Sequence, residues 1–232
     1  FLIKTLAKLG MNVLMLYTED TYEVEGQPYF GAYRGKYTKD EIKELDAYAS
    51  MFGVELVPCI QTLAHLHNVL KWPGMDKIRD SADILQPEKE ETYQFIEKLL
   101  SSVKENFSTN RVHLGMDEAV MLGLGNYLKE NGYKKGSLII REHCNRVVDI
   151  CRKLELKPMI WSDMYITANS TGGYYDLPEN TDCSKWEKPK KDLGLVYWDY
   201  YHDDTRTYEK MLDIHAQLSD NVIFPGSNVR HF

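Results

Sequence analysis

Short apolar runs alternate with helical periodicity along almost the whole chain, and this alternation is the feature that most restricts the fold. Six runs have the length and composition of buried strands, at 12–17, 54–60, 111–116, 157–161, 193–198 and 221–224. The stretches between them carry apolar residues three and four positions apart, as on one face of a helix. Strand and helix in repetition predict parallel strands with helices outside, which leaves a (β/α)8 barrel or an open doubly wound sheet.

Polar residues at the strand ends favour the barrel. Acids or a histidine follow the C-terminal ends of five predicted strands, at Glu19 and Asp20, His65, Asp117 and Glu118, Asp163, and Asp199. In a barrel these ends meet at one mouth, where catalytic residues lie, and no glycine-rich nucleotide motif follows any strand. We therefore expect an α/β fold of the TIM (β/α)8 type, forming a single catalytic domain over residues 1–232. Six predicted strands instead of eight indicate a barrel truncated at both ends.

The net charge and the cysteines limit the partners and the compartment. The formal charge is −7 without a dominant basic patch, which argues against a nucleic-acid partner or an acidic membrane surface. No apolar run approaches the roughly 18 residues of a membrane span. The four cysteines form no C-x-x-C pair, so a reducing compartment such as the cytoplasm is favoured over a disulfide framework. The first residues, FLIKTLAKLGMN, have the pattern of the end of a helix, so the native N-terminus is not identified. The sequence therefore does not show whether a signal peptide exists, and the localisation stays unassigned.

Two adjacent acids end the third predicted strand, in the sequence RVHLGMDEA at 111–119. Because side chains alternate along a strand, Asp117 shares a face with His113 and should point into the barrel. Glu118 can join Asp117 only if the chain bends there. Neighbouring acids in different environments are suited to separate acid and base roles. The alternative is that the pair marks a helix N-terminus, because DEAVMLGLGNYL could begin a helix.

The segment HLGMDEA resembles the H-x-G-[small]-D-E signature of the family 20 glycoside hydrolases, the β-N-acetylhexosaminidases. Four further segments resemble parts of that family in the same order, namely LYTEDTY, QTLAHL, MIWSDM and VYWDYY. Two departures stand out. Met116 replaces the usual small residue, and the segment FPGSNVRHF at 224–232 lacks the Gly-Gly-x-Trp-like sequence that would close the sugar pocket.

The resemblance implies a retaining, exo-acting hydrolase whose substrate assists the reaction through its own 2-acetamido group and an oxazolinium intermediate. Glu118 would be the general acid and later the base, and Asp117 would accept the acetamido N–H. Substrate-binding roles are implied for a further set: Tyr197 or Tyr200 on the acetamido oxygen, Asp199 on hydroxyls, Trp161 and Trp198 around the acetamido methyl, and a relay of Asp20, His65 and Glu118. The implied partner is a glycan ending in N-acetylglucosamine or N-acetylgalactosamine, with no metal and no organic cofactor.

Two other functions stay open at this point. The H-x-H pair of His65 and His67 is also typical of metal-dependent amidohydrolase barrels, with His113, His143 or Asp163 as further ligands. A carbohydrate-binding or inactive relative would carry the same motifs without turnover.

A long segment after the first strand is predicted to form a wall of the groove. Residues 19–38 carry five aromatic rings and three glycines, the rings being Tyr22, Tyr29, Phe30, Tyr33 and Tyr37. Loops of this length are usually functional or disordered, and aromatic faces stack on the C–H faces of sugars. Trp72, in the next predicted loop, is expected to cover the same site.

Overall fold

The computed structural model describes residues 1–223, which form a sheet of six parallel strands surrounded by helices. The strands are β1 (Val13–Glu19), β2 (Glu55–Ile60), β3 (Arg111–His113), β4 (Lys157–Trp161), β5 (Gly194–Val196) and β6 (Val222–Ile223). The helices are α1 (Leu2–Lys8), α2 (Lys39–Ser50), α3 (His67–Leu70), α4 (Glu90–Asn106), α5 (Asn126–Asn131), α6 (Gly136–Lys153), α7 (Asp163–Asn169) and α8 (Thr205–Leu218), with a 3-10 helix at Pro73–Ile78. Within this part of the chain, no helix is both long enough and apolar enough to cross a membrane.

Local sequence signals explain where the outer helices begin and which face they bury. Helix α2 begins at a capping box, in which the Thr38 hydroxyl accepts from Glu41 N and the Glu41 carboxylate accepts from Thr38 N. Helix α8 follows Asp204, whose carboxylate accepts from Thr207 N at 2.8 Å. The predicted apolar stripe of α4 is fully buried, at Ile96, Leu99, Leu100 and Val103. Burying one such side chain stabilises the fold by about 1.5–3 kcal/mol, so this apolar stripe holds α4 in the core of the protein.

The strands separate two apolar layers. Strand order follows chain order, and every neighbouring pair is parallel. One face of the sheet joins the main core under the helices, through Leu56, Val112, Ile160 and Leu195. The other face forms an inner cluster of Val57, Met159 and Val196, with Val13, Met15, Trp161 and Ile223 packed around it. Consecutive parallel strands with an apolar interior and helices outside form the barrel arrangement, and the expected α/β TIM-barrel class is confirmed.

Several predicted boundaries differ from the structure for local reasons. Strand β3 ends at His113 instead of 116, because Gly115 and Met116 have φ of 70° and 71°, which a strand cannot continue. Proline is favoured in the first turn of a helix, so a start of α4 at Pro87 is expected, but α4 begins at Glu90 because Glu88 has a φ of 68°.

Two further boundaries bear on the site. The chain after Glu118 forms turns before α5 begins at Asn126, so the acid pair does not begin a helix. Strand β5 ends at Val196, which places 197–198 in the following loop. The last predicted strand is observed at Val222–Ile223, and its final position, 224, lies outside the described residues together with the segment 224–232.

Candidate active site

A left-handed bend after β3 brings the two acids to the mouth of the barrel. Gly115, Met116 and Glu118 have φ of 70°, 71° and 53°, so the bend expected at this point is present. A Cβ at position 115 would lie 2.0 Å from the Gln61 side-chain oxygen, so only glycine fits. Met116 points towards the helices, with its sulfur 3.4 Å from the Cys144 sulfur. The departure from a small residue at 116 is therefore accommodated outside the site.

Gln61, directly after β2, fixes the bend from the neighbouring strand. Its side-chain oxygen accepts from Met116 N at 3.1 Å, and its Nε2 donates to Asp117 Oδ1 at 2.8 Å. Gln61 is fully buried, so these bonds are shielded from water. Gln61 is not among the predicted site residues, although a glutamine that follows an apolar strand and precedes a strand-end histidine is a usable signal.

His65 lies between the two acids. Its Nε2 is 3.1 Å from Asp117 Oδ2 and 3.6 Å from Glu118 Oε2. The contact with Asp117 is an ion pair without the alignment of a directed hydrogen bond. Contact with Asp117 raises the pKa of His65 to about 9, against the opposing effect of burial. Burial alone would raise the pKa of Asp117, but His65 and Gln61 outweigh it and hold that pKa below its ordinary value. Asp117 is thus kept ionised beside a charged imidazole.

Titration of His65 tests this electrostatic arrangement. We expect its imidazole pKa near 9 in the unaltered protein and a fall towards the ordinary 6.5 in Asp117→Asn, measured by NMR of the ring nitrogens. Because the folded-state pKa is raised, the contact stabilises the fold fully below pH 6.5, and its contribution is lost as the pH rises through 9. As a control, Asp213→Asn, at an exposed position of helix α8, should leave the titration unchanged. A value near 6.5 in the unaltered protein would contradict the ion pair.

Asp163, the first residue of α7, anchors the backbone of Glu118. Its Oδ2 accepts from Glu118 N at 2.9 Å, and its Oδ1 accepts from the Trp198 indole at 3.3 Å. Burial raises the pKa of Asp163 to about 7, against the two donors that favour its charged form. The Glu118 side chain itself is 59% exposed. Its backbone is therefore fixed while its carboxyl remains within reach of a ligand.

The site has a definite chemical division. One carboxylate is partly buried, charged and held by two partners, and its neighbour is exposed on an anchored backbone. The family model described as the catalytic domain of glycosyl hydrolase family 20 matches residues 3–201. This chain belongs to glycosyl hydrolase family 20.

Curated relatives agree with this family 20 assignment over most of the chain. Hexosaminidase D of Bos taurus is 27% identical over 219 residues, which cover 90% of this chain and 58% of the relative. Hexosaminidase D of Homo sapiens is 26% identical over 220 residues, covering 90% of this chain and 41% of the relative. The family 20 chain described here thus spans between two fifths and three fifths of the length of these relatives.

Solved family 20 structures share the fold. The exo-β-N-acetylglucosaminidase of Vibrio harveyi, in complex with N-acetylglucosamine, superimposes with a TM-score of 0.70 at 19% identity, covering 96% of this chain and 37% of that chain. The β-N-acetylhexosaminidase of Streptomyces coelicolor gives a TM-score of 0.68 at 17% identity, covering 97% of this chain and 44% of that chain. At this identity the likeness establishes the barrel fold alone.

One contact of the implied relay of Asp20, His65 and Glu118 differs in the structure, because Asp20 contacts Arg34 and not His65. Asp20 is buried and accepts from Arg34 at 2.6 Å, and Arg34 also contacts Glu19 at 2.8 Å. Within residues 1–223, the ionic contacts of His65 are to Asp117 and Glu118, and those of Asp20 are to Arg34. Arg34 lies on the long loop after β1, and no local pattern indicated that it would reach back to the strand end.

Two tryptophans of the predicted set lie beside the acid pair. Trp161 packs on His113 with ring centroids 4.3 Å apart, and its backbone N donates to Gly115 O at the bend. Trp198 reaches the pair through its bond to Asp163. Trp161 is thus held against the strand and the bend that precede the acids, and Trp198 is linked to Glu118 N through Asp163.

The remaining predicted residues form a separate network. Tyr197 is fully buried and its hydroxyl donates to Asp199 Oδ2 at 2.8 Å, while the His202 ring lies 3.0 Å from the same oxygen. Tyr200 is 44% exposed, with its ring 5.5 Å from that of Trp198. Tyr197 and Asp199 are thus joined to each other by a hydrogen bond, and their roles towards a sugar remain predictions.

Within residues 1–223, His65 and His67 do not come together as the metal-ligand pair that an amidohydrolase would need. The group with metal-ligand spacing is His65, Asp117 and Glu118, whose ligand atoms lie within 4.8 Å of one another. His67 is exposed on α3 and is not part of this group. His143 is fully buried, with its ring nitrogens 3.3 Å from the Tyr93 hydroxyl and 3.0 Å from Thr62 O. Burial lowers the pKa of His143 to about 4.

Proposed function

We propose that this chain is a single catalytic domain of a retaining exo-β-N-acetylhexosaminidase, acting on glycans that end in N-acetylglucosamine or N-acetylgalactosamine. The observation that carries the proposal is the pair of neighbouring acids in unlike environments. Asp117 is 18% exposed and Glu118 is 59% exposed, yet both contact the same imidazole. The names of the relatives, Hexosaminidase D, and the N-acetylglucosamine bound to the Vibrio harveyi enzyme support the same substrate class.

The first chemical step follows from this division of roles. The 2-acetamido oxygen of the substrate attacks the anomeric carbon, and the bond from that carbon to the leaving oxygen breaks. Glu118 gives its proton to the leaving oxygen, as the family resemblance implies, and its exposed carboxyl is accessible to a bound glycan. Asp117 accepts the acetamido N–H and offsets the positive charge that develops as the oxazolinium ring forms. Its interaction strengthens towards the transition state, which is the requirement for catalysis.

The second step restores the enzyme. Glu118, now a carboxylate, takes a proton from water, and the water oxygen attacks the anomeric carbon as the oxazolinium ring opens. Two inversions at one carbon give net retention. We assign Trp161 and Trp198 to the wall around the acetamido methyl, and Tyr197, Tyr200 and Asp199 to contacts with the sugar, as the family resemblance implies. No step in this scheme requires a metal or an organic cofactor.

A thiazoline analogue of N-acetylglucosamine tests the proposal, because it copies the ring that forms in the first step. We expect turnover of a chromogenic N-acetylglucosaminide and competitive inhibition by the thiazoline at least about 100-fold tighter than by N-acetylglucosamine itself. Turnover without such inhibition would remove acetamido participation. Binding of the sugar without turnover would favour a carbohydrate-binding or inactive relative instead.

A further inference from the structure

The loop after β1 is firmly anchored to the barrel. Phe30 is fully buried and meets Tyr22 edge to face, with ring centroids 5.1 Å apart. A Cβ at Gly31 would lie 2.4 Å from Asp20 O, so the loop backbone packs directly on the end of β1. Arg34 adds the ion pairs to Glu19 and Asp20. The loop conformation is therefore set by burial and charge before any ligand arrives.

Two rings of this anchored loop nevertheless point into solvent, where they meet a third ring from another loop. Tyr33 is 97% exposed and Tyr29 is 51% exposed. The centroid of the Tyr29 ring lies 5.2 Å from that of Trp72, with an angle of 30° between the ring planes. The centroid of the Tyr33 ring lies 6.2 Å from that of Trp72, with an angle of 35° between the planes. Tyr29, Tyr33 and Trp72 are called the aromatic platform below. Tyr33 also has a φ of 64°, an uncommon backbone conformation for a side chain of this size.

A continuous chain of polar contacts joins Arg34, the residue that follows Tyr33 of the aromatic platform, to Asp117. Arg34, next to Tyr33, holds Glu19 at 2.8 Å, and Glu19 accepts from the Tyr17 hydroxyl at 3.2 Å. Gln61 Nε2 lies 3.4 Å from that hydroxyl and 2.8 Å from Asp117 Oδ1. Both loops of the platform also leave the C-terminal ends of their strands, β1 and β2, at the face of the barrel that carries the acids.

We propose that the aromatic platform binds the sugar of the leaving group, the residue on the far side of the bond that is cleaved. The proposal rests on the proposed hexosaminidase function. An exo-acting enzyme holds the terminal sugar between its acids, so the rest of the glycan must extend outwards past the rim of the mouth. Aromatic faces attract the C–H face of a pyranose ring, and rings already held in place lose little freedom on binding. Tyr29 and Tyr33 are exposed, Trp72 is half-buried, and all three lie on segments that follow β1 and β2 at the face carrying the acids.

The test compares a substrate that reaches the platform with an inhibitor that does not. For the β-linked N-acetylglucosamine disaccharide, Tyr33→Ala should raise KM roughly three- to tenfold with little change in kcat. Tyr33→Phe keeps the ring and should behave as the unaltered protein. Tyr133→Ala, which removes an exposed tyrosine from a different loop, is the matched control and should also have no effect. Inhibition by the thiazoline, which fills only the terminal-sugar site, should be the same in all four proteins.

The outcomes separate this inference from the function on which it rests. An unchanged disaccharide KM in Tyr33→Ala, with thiazoline inhibition intact, would overturn the platform and leave the hexosaminidase proposal standing. Absence of thiazoline inhibition in the unaltered protein would overturn both. If Tyr33→Ala lowered the oligomeric mass by light scattering without changing KM, the rings would form a contact between copies of the chain, and the sugar assignment would be wrong.

Discussion

Replacing Glu118 with Gln should lower kcat for the β-linked N-acetylglucosamine disaccharide by roughly 10²- to 10⁴-fold, the usual contribution of a positioned general acid. The amide cannot give a proton to the leaving oxygen, and it cannot take one from water in the second step. The substitution leaves the backbone bond from Glu118 N to Asp163 in place, so the bend should persist. The loss is therefore expected in the chemical step and not in folding or in substrate binding.

The leaving group gives this prediction a sharper form. A substrate whose leaving oxygen is already a weak base, such as a dinitrophenolate, needs little protonation to depart. Its first step should lose much less rate in Glu118→Gln than that of the disaccharide, as a single-turnover measurement would record. Glu44→Gln, an exposed position on α2, is the control and should retain full activity. Equal losses for both substrates, or no loss for either, would contradict the acid role of Glu118.

Replacing Asp117 with Asn should lower kcat by roughly 10²- to 10³-fold, the usual loss when one group that stabilises transition-state charge is removed. The amide is close in size to the carboxylate but carries no charge to offset the developing oxazolinium. It also presents an N–H₂ group that the substrate N–H cannot use as an acceptor. The partner atoms of Gln61 and His65 would lose their charged acceptor as well, so the orientation of the side chain would change.

The two acid variants should differ in their response to the leaving group. Asp117 acts on the acetamido group and not on the departing oxygen, so Asp117→Asn should slow the disaccharide and the dinitrophenyl substrate by similar factors. Asp213→Asn on α8 is the matched control. Thermal unfolding by circular dichroism would check that the variant is folded. Near-normal turnover in folded Asp117→Asn would show that acetamido orientation does not depend on this carboxylate.

The fold and the acid pair could be predicted because both leave local patterns in the sequence. The alternation of β3 placed Val112 towards the helices, and the expected bend is present at Gly115, although β3 ends before Asp117 and alternation does not extend to it. His65 and Asp163 were also visible, because each follows within a few residues of an apolar run. The architecture could therefore be predicted from hydrophobic periodicity, and the centre of the candidate site from the polar residues near the strand ends.

The contacts that hold the site together could not be predicted in the same way. Gln61 reaches Asp117 across 56 positions and Asp163 reaches Glu118 across 45, and such pairings depend on how neighbouring loops fold. The pairing of Asp20 with Arg34 within one loop depends on the close packing at Gly31, which no spacing rule describes. Sequence patterns identified which residues are chemically capable, and the tertiary fold decides which of them meet.

The most direct measurement is a crystal structure of the protein with the thiazoline analogue bound. We expect a carboxylate oxygen of Asp117 to lie about 2.6–3.2 Å from the thiazoline nitrogen. We also expect the Glu118 carboxyl on the side of the anomeric carbon from which the glycosidic oxygen departs. A thiazoline whose nitrogen faces away from Asp117, or a Glu118 carboxyl turned out of reach of the anomeric carbon, would contradict the division of roles between the two acids.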